Sequence, residues 1–90
     1  MAPYNYDERE RIEKLFSKMA KKDQRQLSII KKKIIQILNN PYAFKPLTAP
    51  MYGLRAVHID KSFVLIYSID EQTRTVIVED YDHHDKIYGN

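Results

Sequence analysis

Hydrophobic residues recur at helical spacing near the start of the chain. Their positions follow i, i+3, i+4 and i+7, and charged residues fill the positions between them, which predicts an amphipathic helix. The members of this stripe are Ile12, Leu15, Phe16 and Met19. Asp7 and Glu10 have the spacing of a capping box, so we expect the helix to begin at Asp7, after a short extended lead over residues 3–6.

A second apolar stripe follows after a charged interruption. Asp23 and Gln26 repeat the capping spacing at its start. Asn40–Pro41 ends it, because proline disfavours helical backbone in the residue before it. The stripe consists of Leu27, Ile30, Ile34, Ile37 and Leu38. Residues 7–40 are therefore predicted to form a helical hairpin.

The hydrophobic period changes from helical spacing to alternation at residue 54. Residues 41–53, which contain three prolines, are expected to form a semi-rigid loop before that point. Alternating β-branched and aromatic residues then predict three strands, over residues 54–60, 63–69 and 74–80. We expect one α+β domain spanning residues 1–90, with the hairpin packed on one face of a small antiparallel sheet and residues 81–90 as a polar tail.

The first strand turn determines which side chains share a face of this sheet. A turn centred on Lys61–Ser62 pairs Ile59 with Val64 and Val57 with Ile66, which places these four on the face toward the helices. The opposite face is then expected to carry His58, Phe63, Leu65, Tyr67, Val76 and Val78. A slip of one residue in the register would reverse these assignments.

Composition limits the classes of protein that the chain could represent. Its 90 residues suit one small domain, and the absence of cysteine excludes disulfides, thiolate catalysis and cysteine-ligated zinc. No apolar run approaches the length that spans a bilayer. We expect a cytoplasmic protein with no membrane association.

The net charge of +3 conceals a split along the chain. Residues 1–50 carry 11 Lys or Arg against 5 Asp or Glu, a charge of +6, whereas residues 51–90 carry 4 against 7, a charge of −3. A positive half suits a phosphate backbone or an acidic protein. An ordinary solvated helix face has the same composition, and charge alone does not separate the two interpretations.

Histidines are the candidates for chemistry near neutral pH. Imidazole titrates closest to physiological pH, so His58 together with His83 or His84 could supply a base and an acid at one substrate. A histidine on a strand is more often an ordinary surface residue. A metal cluster is an alternative, but adjacent histidines point apart in regular backbone, which weakens it. Its ligands would be Asp80, Asp82, His83, His84 and Asp85.

The order of motifs after the two charged helices resembles the RelE/ParE superfamily of toxins from type II toxin-antitoxin systems, and within it the YafQ-like branch. The resemblance covers roughly residues 12–89. It rests on Asn40–Pro41, Lys45–Pro46–Leu47, Gly53–Leu54–Arg55, His58, Ile66–Tyr67 and the ending from His84 to Gly89.

The resemblance implies an mRNA interferase, a ribosome-dependent endoribonuclease that needs no metal or cofactor and is silenced by a cognate antitoxin. It implies acid and base roles for His58 and His84, phosphate binding by Lys45 and base stacking or backbone orientation by Tyr88. Arg55 occupies a common basic position of the family, although strand alternation places it opposite His58. The basic helix, through Lys31, Lys32 and Lys33, is expected to contact ribosomal RNA, and a toxin-antitoxin hetero-oligomer is an expected assembly.

The sequence also departs from the pattern of the family. The family opens with a strand, but only residues 2–6 are available here, so the first strand is expected to be short or missing. Asp80 stands where related nucleases carry arginine, and could instead bond a histidine. Ser62 stands where YafQ-like sequences carry a carboxylate. Two rivals follow: a ParE-like or degenerate toxin that binds a protein such as gyrase without cutting RNA, and a plain interaction module.

Overall fold

The computed structural model describes residues 2–89, and its centre is a five-stranded mixed sheet in the order β1-β5-β4-β3-β2. Strand β1 runs parallel to β5, and the other neighbours are antiparallel. In chain order the elements are β1 (Asn5–Glu8), α1 (Glu10–Lys22), α2 (Gln24–Asn39), β2 (Lys45–Pro46), β3 (Leu54–Ile59), β4 (Phe63–Asp70), β5 (Thr75–His83) and α3 (His84–Tyr88). No helix among residues 2–89 has both the length and the apolar character needed to cross a membrane.

The α+β class and the helical hairpin on one face of the sheet are confirmed. Helices α1 and α2 cover one face of the sheet, and the core between them consists chiefly of Ile12, Ile30, Ile37, Val57, Ile59, Leu65, Tyr67, Val76 and Val78. The predicted antiparallel pairing holds for β2 to β5 and is wrong only for β1. The first strand exists in shortened form and joins the edge of β5 in parallel, through hydrogen bonds such as Asn5 N to Arg74 O at 2.7 Å.

The two predicted helix starts have different outcomes. Asp23 does cap α2, because its carboxylate accepts a hydrogen bond from Gln26 N. The capping box at Asp7 is wrong, since Asp7 lies inside β1 and α1 begins only at Glu10. Arg9 N instead donates to Val78 O at 3.1 Å. Pairing with β5 therefore takes the residues that local spacing assigned to a helix.

The predicted register of β3 against β4 is wrong by one residue. Ile59 pairs with Phe63 and Val57 with Leu65, because the turn contains three residues and Asp60 adopts a φ of 56° in it. Consequently Leu65 and Tyr67 join the helix-facing core, as Phe63 does at its margin. Val64 and Ile66 lie on the opposite face, where they pack in a small second cluster with Leu47 and Ala56.

Strand β5 contains a bulge at Glu79, which changes the face that its last residues occupy. Ile66 pairs with Asp80, but the next residue of β4, Tyr67, pairs with Val78, so Glu79 is the extra residue. A bulge reverses the alternation of side chains beyond it. Val78 before the bulge and Tyr81 after it therefore both reach the helix-facing core. The sequence pattern placed Val76 and Val78 beside His58. They face the helices instead because they pair with Ile69 and Tyr67, which the observed register of β3 against β4 turns to that face.

The bulged residue joins three elements. The carboxylate of Glu79 accepts two hydrogen bonds from the Arg9 guanidinium, at 2.8 and 2.9 Å, and one from the Ser68 hydroxyl at 2.6 Å. These bonds favour the charged form, and the one from Arg9 is the main reason that the pKa of Glu79 lies below its ordinary value. The start of α1 is thus tied to the bulge in β5 and to β4.

Two side chains of the sheet hold the loop between α2 and β3. The Arg55 guanidinium donates to the carbonyl oxygens of Tyr42 and Phe44, at 3.2 and 2.7 Å, and lies over the Tyr42 ring. Tyr67 donates its hydroxyl to Pro41 O at 2.6 Å, and burial raises the pKa of Tyr67 to about 12. These hydrogen bonds therefore hold the backbone of the loop at residues 41–44.

We expect Glu79→Gln to lower the free energy of unfolding at pH 7 by about 1 kcal/mol, because the ion pair with Arg9 is lost and only one of the two acceptor oxygens remains. The folded-state pKa of Glu79 lies below the unfolded one, so this stabilisation is present above the unfolded value and lost as pH falls through the folded value. Urea denaturation between pH 7 and pH 2 measures it. Glu10→Gln, on an exposed helix pair with Lys14, is the control, and a difference independent of pH would contradict the assignment.

Arg55→Met should loosen the loop that carries Lys45. The loss of two charge-assisted hydrogen bonds to carbonyl oxygens should lower the free energy of unfolding by about 1–3 kcal/mol. Hydrogen exchange should accelerate first between residues 42 and 47. Lys45→Met is the matched control because Lys45 is exposed, and equal effects of the two substitutions would refute a loop-fastening role for Arg55.

Candidate active site

Strand pairing brings Lys45 to the same face as His58. Lys45 of β2 lies directly opposite Ala56 of β3, and paired residues of neighbouring strands share a face. His58 follows Ala56 by two positions, so alternation keeps it on that face. Ala56 is buried, whereas the side chains of Lys45 and His58 are exposed. A small residue thus leaves room between a cation and an imidazole.

Helix α3 carries the second histidine across to the same face. The pairing of β4 with β5 ends at Phe63 and His83, and His84 N then donates to Ser62 O at 2.8 Å. This bond places the start of α3 beside the turn that follows β3. Ile87 packs on the second cluster, which contains Leu47, Ala56, Val64 and Ile66, and so holds α3 over the face away from α1 and α2.

The result is a hollow of about 240 Å³ lined by Lys45, Ala56, His58, His84 and Tyr88. The two imidazole rings lie 5.9 Å apart between centroids and nearly parallel, at 13°. The Tyr88 ring lies 4.6 Å from His84. Two imidazoles, a cation and an aromatic ring therefore surround one open space. Such a set can transfer protons at a phosphodiester and stabilise the negative charge on its phosphate.

The four residues that the resemblance marked as catalytic therefore come together from three separate elements, β2, β3 and α3. Ala56 also lines the hollow, and Asp85, which the sequence suggested only as a candidate metal ligand, lies beside His84. Ala56 forms the floor, and its position two residues before His58 is the available signal. Asp85 has Oδ1 at 3.7 Å from Nδ1 of His84.

The predicted RNA-binding or ribosome-binding residues do not join the hollow. Arg55 lies on the opposite face of β3, as alternation predicted, and its guanidinium is engaged by loop carbonyl groups. Lys31, Lys32 and Lys33 belong to α2, which covers the helix-facing side of the sheet. The basic helix and the hollow therefore occupy different surfaces.

Asp80 does not contact a histidine. Its carboxylate forms an ion pair with Arg11 of α1 at 2.8 Å and accepts a bond from Tyr81 N. His83 packs on Phe63, with ring centroids 4.2 Å apart, while His84 faces His58. Within residues 2–89 no three His, Asp or Glu side chains gather closely enough to hold a metal ion.

Several solved structures share this fold. The toxin-antitoxin complex RelBE2 from Mycobacterium tuberculosis aligns with a TM-score of 0.76 and 22% identity, over 93% of this chain and 94% of that one. YafQ from Escherichia coli aligns with a TM-score of 0.71 and 20% identity, over 96% and 99% of the two chains. At these identities the likeness concerns the fold.

Sequence comparison extends beyond the fold. A protein of Methanocaldococcus jannaschii with the name "Putative toxin RelE4" is 46% identical over 77 residues, which cover 86% of this chain and 82% of that one. The model of the family described as ParE toxin of type II toxin-antitoxin system, parDE, matches residues 8–88. The chain therefore belongs to the RelE/ParE superfamily of toxins of type II toxin-antitoxin systems.

Proposed function

We propose that this toxin is a ribosome-dependent endoribonuclease that cleaves messenger RNA. The observation that carries the proposal is the shared hollow, in which the rings of His58 and His84 lie 5.9 Å apart beside Lys45 and Tyr88. A toxin that acted only by binding would have no need to gather two imidazoles and a cation around one opening.

The chemistry transfers two protons. One imidazole takes the proton of a ribose 2′-hydroxyl as its oxygen attacks the adjacent phosphorus, and the other donates a proton to the departing 5′-oxygen. The bond between phosphorus and the 5′-oxygen breaks, which leaves a 2′,3′-cyclic phosphate and a 5′-hydroxyl. Because imidazole titrates near neutral pH, one ring can be neutral while the other is protonated.

The remaining two residues of the hollow bind and orient. The Lys45 ammonium offsets the additional negative charge on the phosphorane as the 2′-oxygen attacks. Tyr88 is half-exposed beside His84, and an aromatic ring in this position stacks on an unpaired base of single-stranded RNA. The roles of His58 and His84 as base and acid are interchangeable in this scheme.

A second candidate function is ParE-like inhibition of a protein target such as gyrase without RNA cleavage. The matched family is described as ParE toxin, and this observation favours the second candidate. Asp80 on the final strand also favours it, because a carboxylate does not attract phosphate. The Arg11 guanidinium, which pairs with Asp80, offsets part of that negative charge.

The proposed partner is an antitoxin. A neighbour in fold is a chain of the toxin-antitoxin complex RelBE2. This chain also exposes an apolar groove of about 480 Å³ between β1, α1 and α2. Ile35, which is 60% exposed, and Tyr6 leave hydrophobic surface there uncovered, and β1 is a strand at the edge of the sheet. A short chain with apolar side chains would cover both features.

We expect His58→Ala and His84→Ala each to reduce the cleavage of messenger RNA on translating ribosomes by about 100-fold or more, since each removes one proton-transfer group. Primer extension with purified protein measures the cleavage, and growth inhibition should be relieved in parallel. His83→Ala is the matched control because its ring packs on Phe63. Full toxicity of the double variant without RNA cleavage would favour the ParE-like candidate instead.

Reversal of charge at Lys31, Lys32 and Lys33 to glutamate should weaken co-sedimentation with ribosomes by about tenfold or more at moderate salt, because contacts between lysines and phosphates are lost. The same change at Lys18, Lys21 and Lys22 of α1 alters the net charge equally and serves as the control. Unchanged binding, or equal losses from the two sets, would reject a specific contact through α2.

A further inference from the structure

A second hollow adjoins the first on the same side of the sheet. It encloses about 370 Å³ between residues 47–51 and α3, and Tyr88 lines both hollows. Its walls are mainly apolar, with Leu47, Met51 and Ile87 contributing and Thr48 and Lys86 adding polar groups. The proposed reaction at His58 and His84 makes no use of this space.

The walls of the second hollow are held in place by the small cluster beneath them. Leu47 is buried in that cluster, and Met51 and Ile87 pack against it. Leu47 N donates to Leu54 O at 2.9 Å, and Met51 N donates to Thr48 O at 2.8 Å. The hollow is therefore formed by packing and backbone hydrogen bonds before any ligand arrives.

We propose that this second hollow binds the base of a nucleotide next to the cleaved phosphate; the inference rests on the proposed ribonuclease function. A nucleobase is a flat ring system that prefers aromatic and apolar contact on its faces and hydrogen bonds at its edges. Tyr88 offers a ring, Met51 a polarisable sulfur that contacts aromatic rings favourably, and Thr48 a hydroxyl. The ammonium of Lys86 suits the negative charge that accompanies every nucleotide.

The position of Tyr88 between the two hollows links binding to cleavage. A strand whose phosphate lies between Lys45 and the two imidazoles passes Tyr88 on one side and can place its next base in the second hollow. The second hollow therefore sets the nucleotide preference at one position beside the cut, because only one flanking base can enter it. Single-stranded nucleic acid is the substrate class, since the base must be unpaired.

Binding of a base can be tested without cleavage. With 13C-labelled methionine methyl groups, each of the four nucleoside 5′-monophosphates should shift the Met51 methyl resonance through the ring current of the bound base. Met19, which packs against the core on the helix-facing side, should stay fixed. Ribose 5-phosphate is the probe without a base and should leave both unchanged. Equal shifts at the two methionines, or none at Met51, would overturn the proposal.

Specificity can be tested with Met51→Trp, which fills the hollow. On translating ribosomes the variant should change the nucleotide preference at one position beside the cut by about tenfold, the scale on which an apolar pocket discriminates. Tyr52→Trp is the matched control, because Tyr52 is 74% exposed and does not line the hollow.

The outcomes separate this inference from the function on which it rests. If the unmodified toxin leaves RNA uncut but nucleotides shift Met51, the ribonuclease proposal fails and base binding stands. If the toxin cuts RNA and Met51→Trp keeps the same preference, the specificity role fails. A uniform loss of cleavage at every site in a folded variant would also overturn it, because a pocket for one base affects some sites more than others.

Discussion

The bulge at Glu79 is the constraint on which the two faces of this protein depend. Without an extra residue in β5, Val78 and Tyr81 would lie on opposite faces of the sheet, and one of them would leave the core. The cost of interrupting the ladder is offset by the hydrogen bonds that Glu79 accepts from Arg9 and Ser68. The same carboxylate therefore both stabilises the bulge and fixes where α1 begins.

On the face away from the helical hairpin, a small hydrophobic cluster holds α3 against the sheet. Leu47, Val64 and Ile66 are buried there, and Ile87 of α3 packs against them. Because α3 is only five residues long, packing and the bond from His84 N to Ser62 O hold it in place rather than its own helical stability. The separation of His58 from His84 is thus determined by side chains that do not line the hollow.

The charge asymmetry of the sequence has a structural counterpart. The lysines of α2 belong to the helix layer, whereas the hollow with the histidines opens on the other face. Arg11 reaches from α1 to Asp80 on the final strand and offsets part of the acidic charge there. The basic surface of α2, which suits a polyanion, is therefore separate from the surface that carries His58 and His84.

The sequence by itself predicted the two long helices, three strands and the members of the candidate site, whereas β2 and α3 lie in segments that were expected to be a loop and a polar tail. Helical spacing predicted both helices, alternation predicted three strands and separated His58 from Arg55, and the order of motifs named Lys45, His58, His84 and Tyr88. Only the tertiary structure decided the register and the facing of the later strands. The φ of Asp60 lengthens one turn by a residue, and the bulge at Glu79 reverses alternation in the last strand. The first five residues of β4 are all hydrophobic, so both registers bury apolar side chains, and only pairing with neighbouring strands and helices distinguishes them.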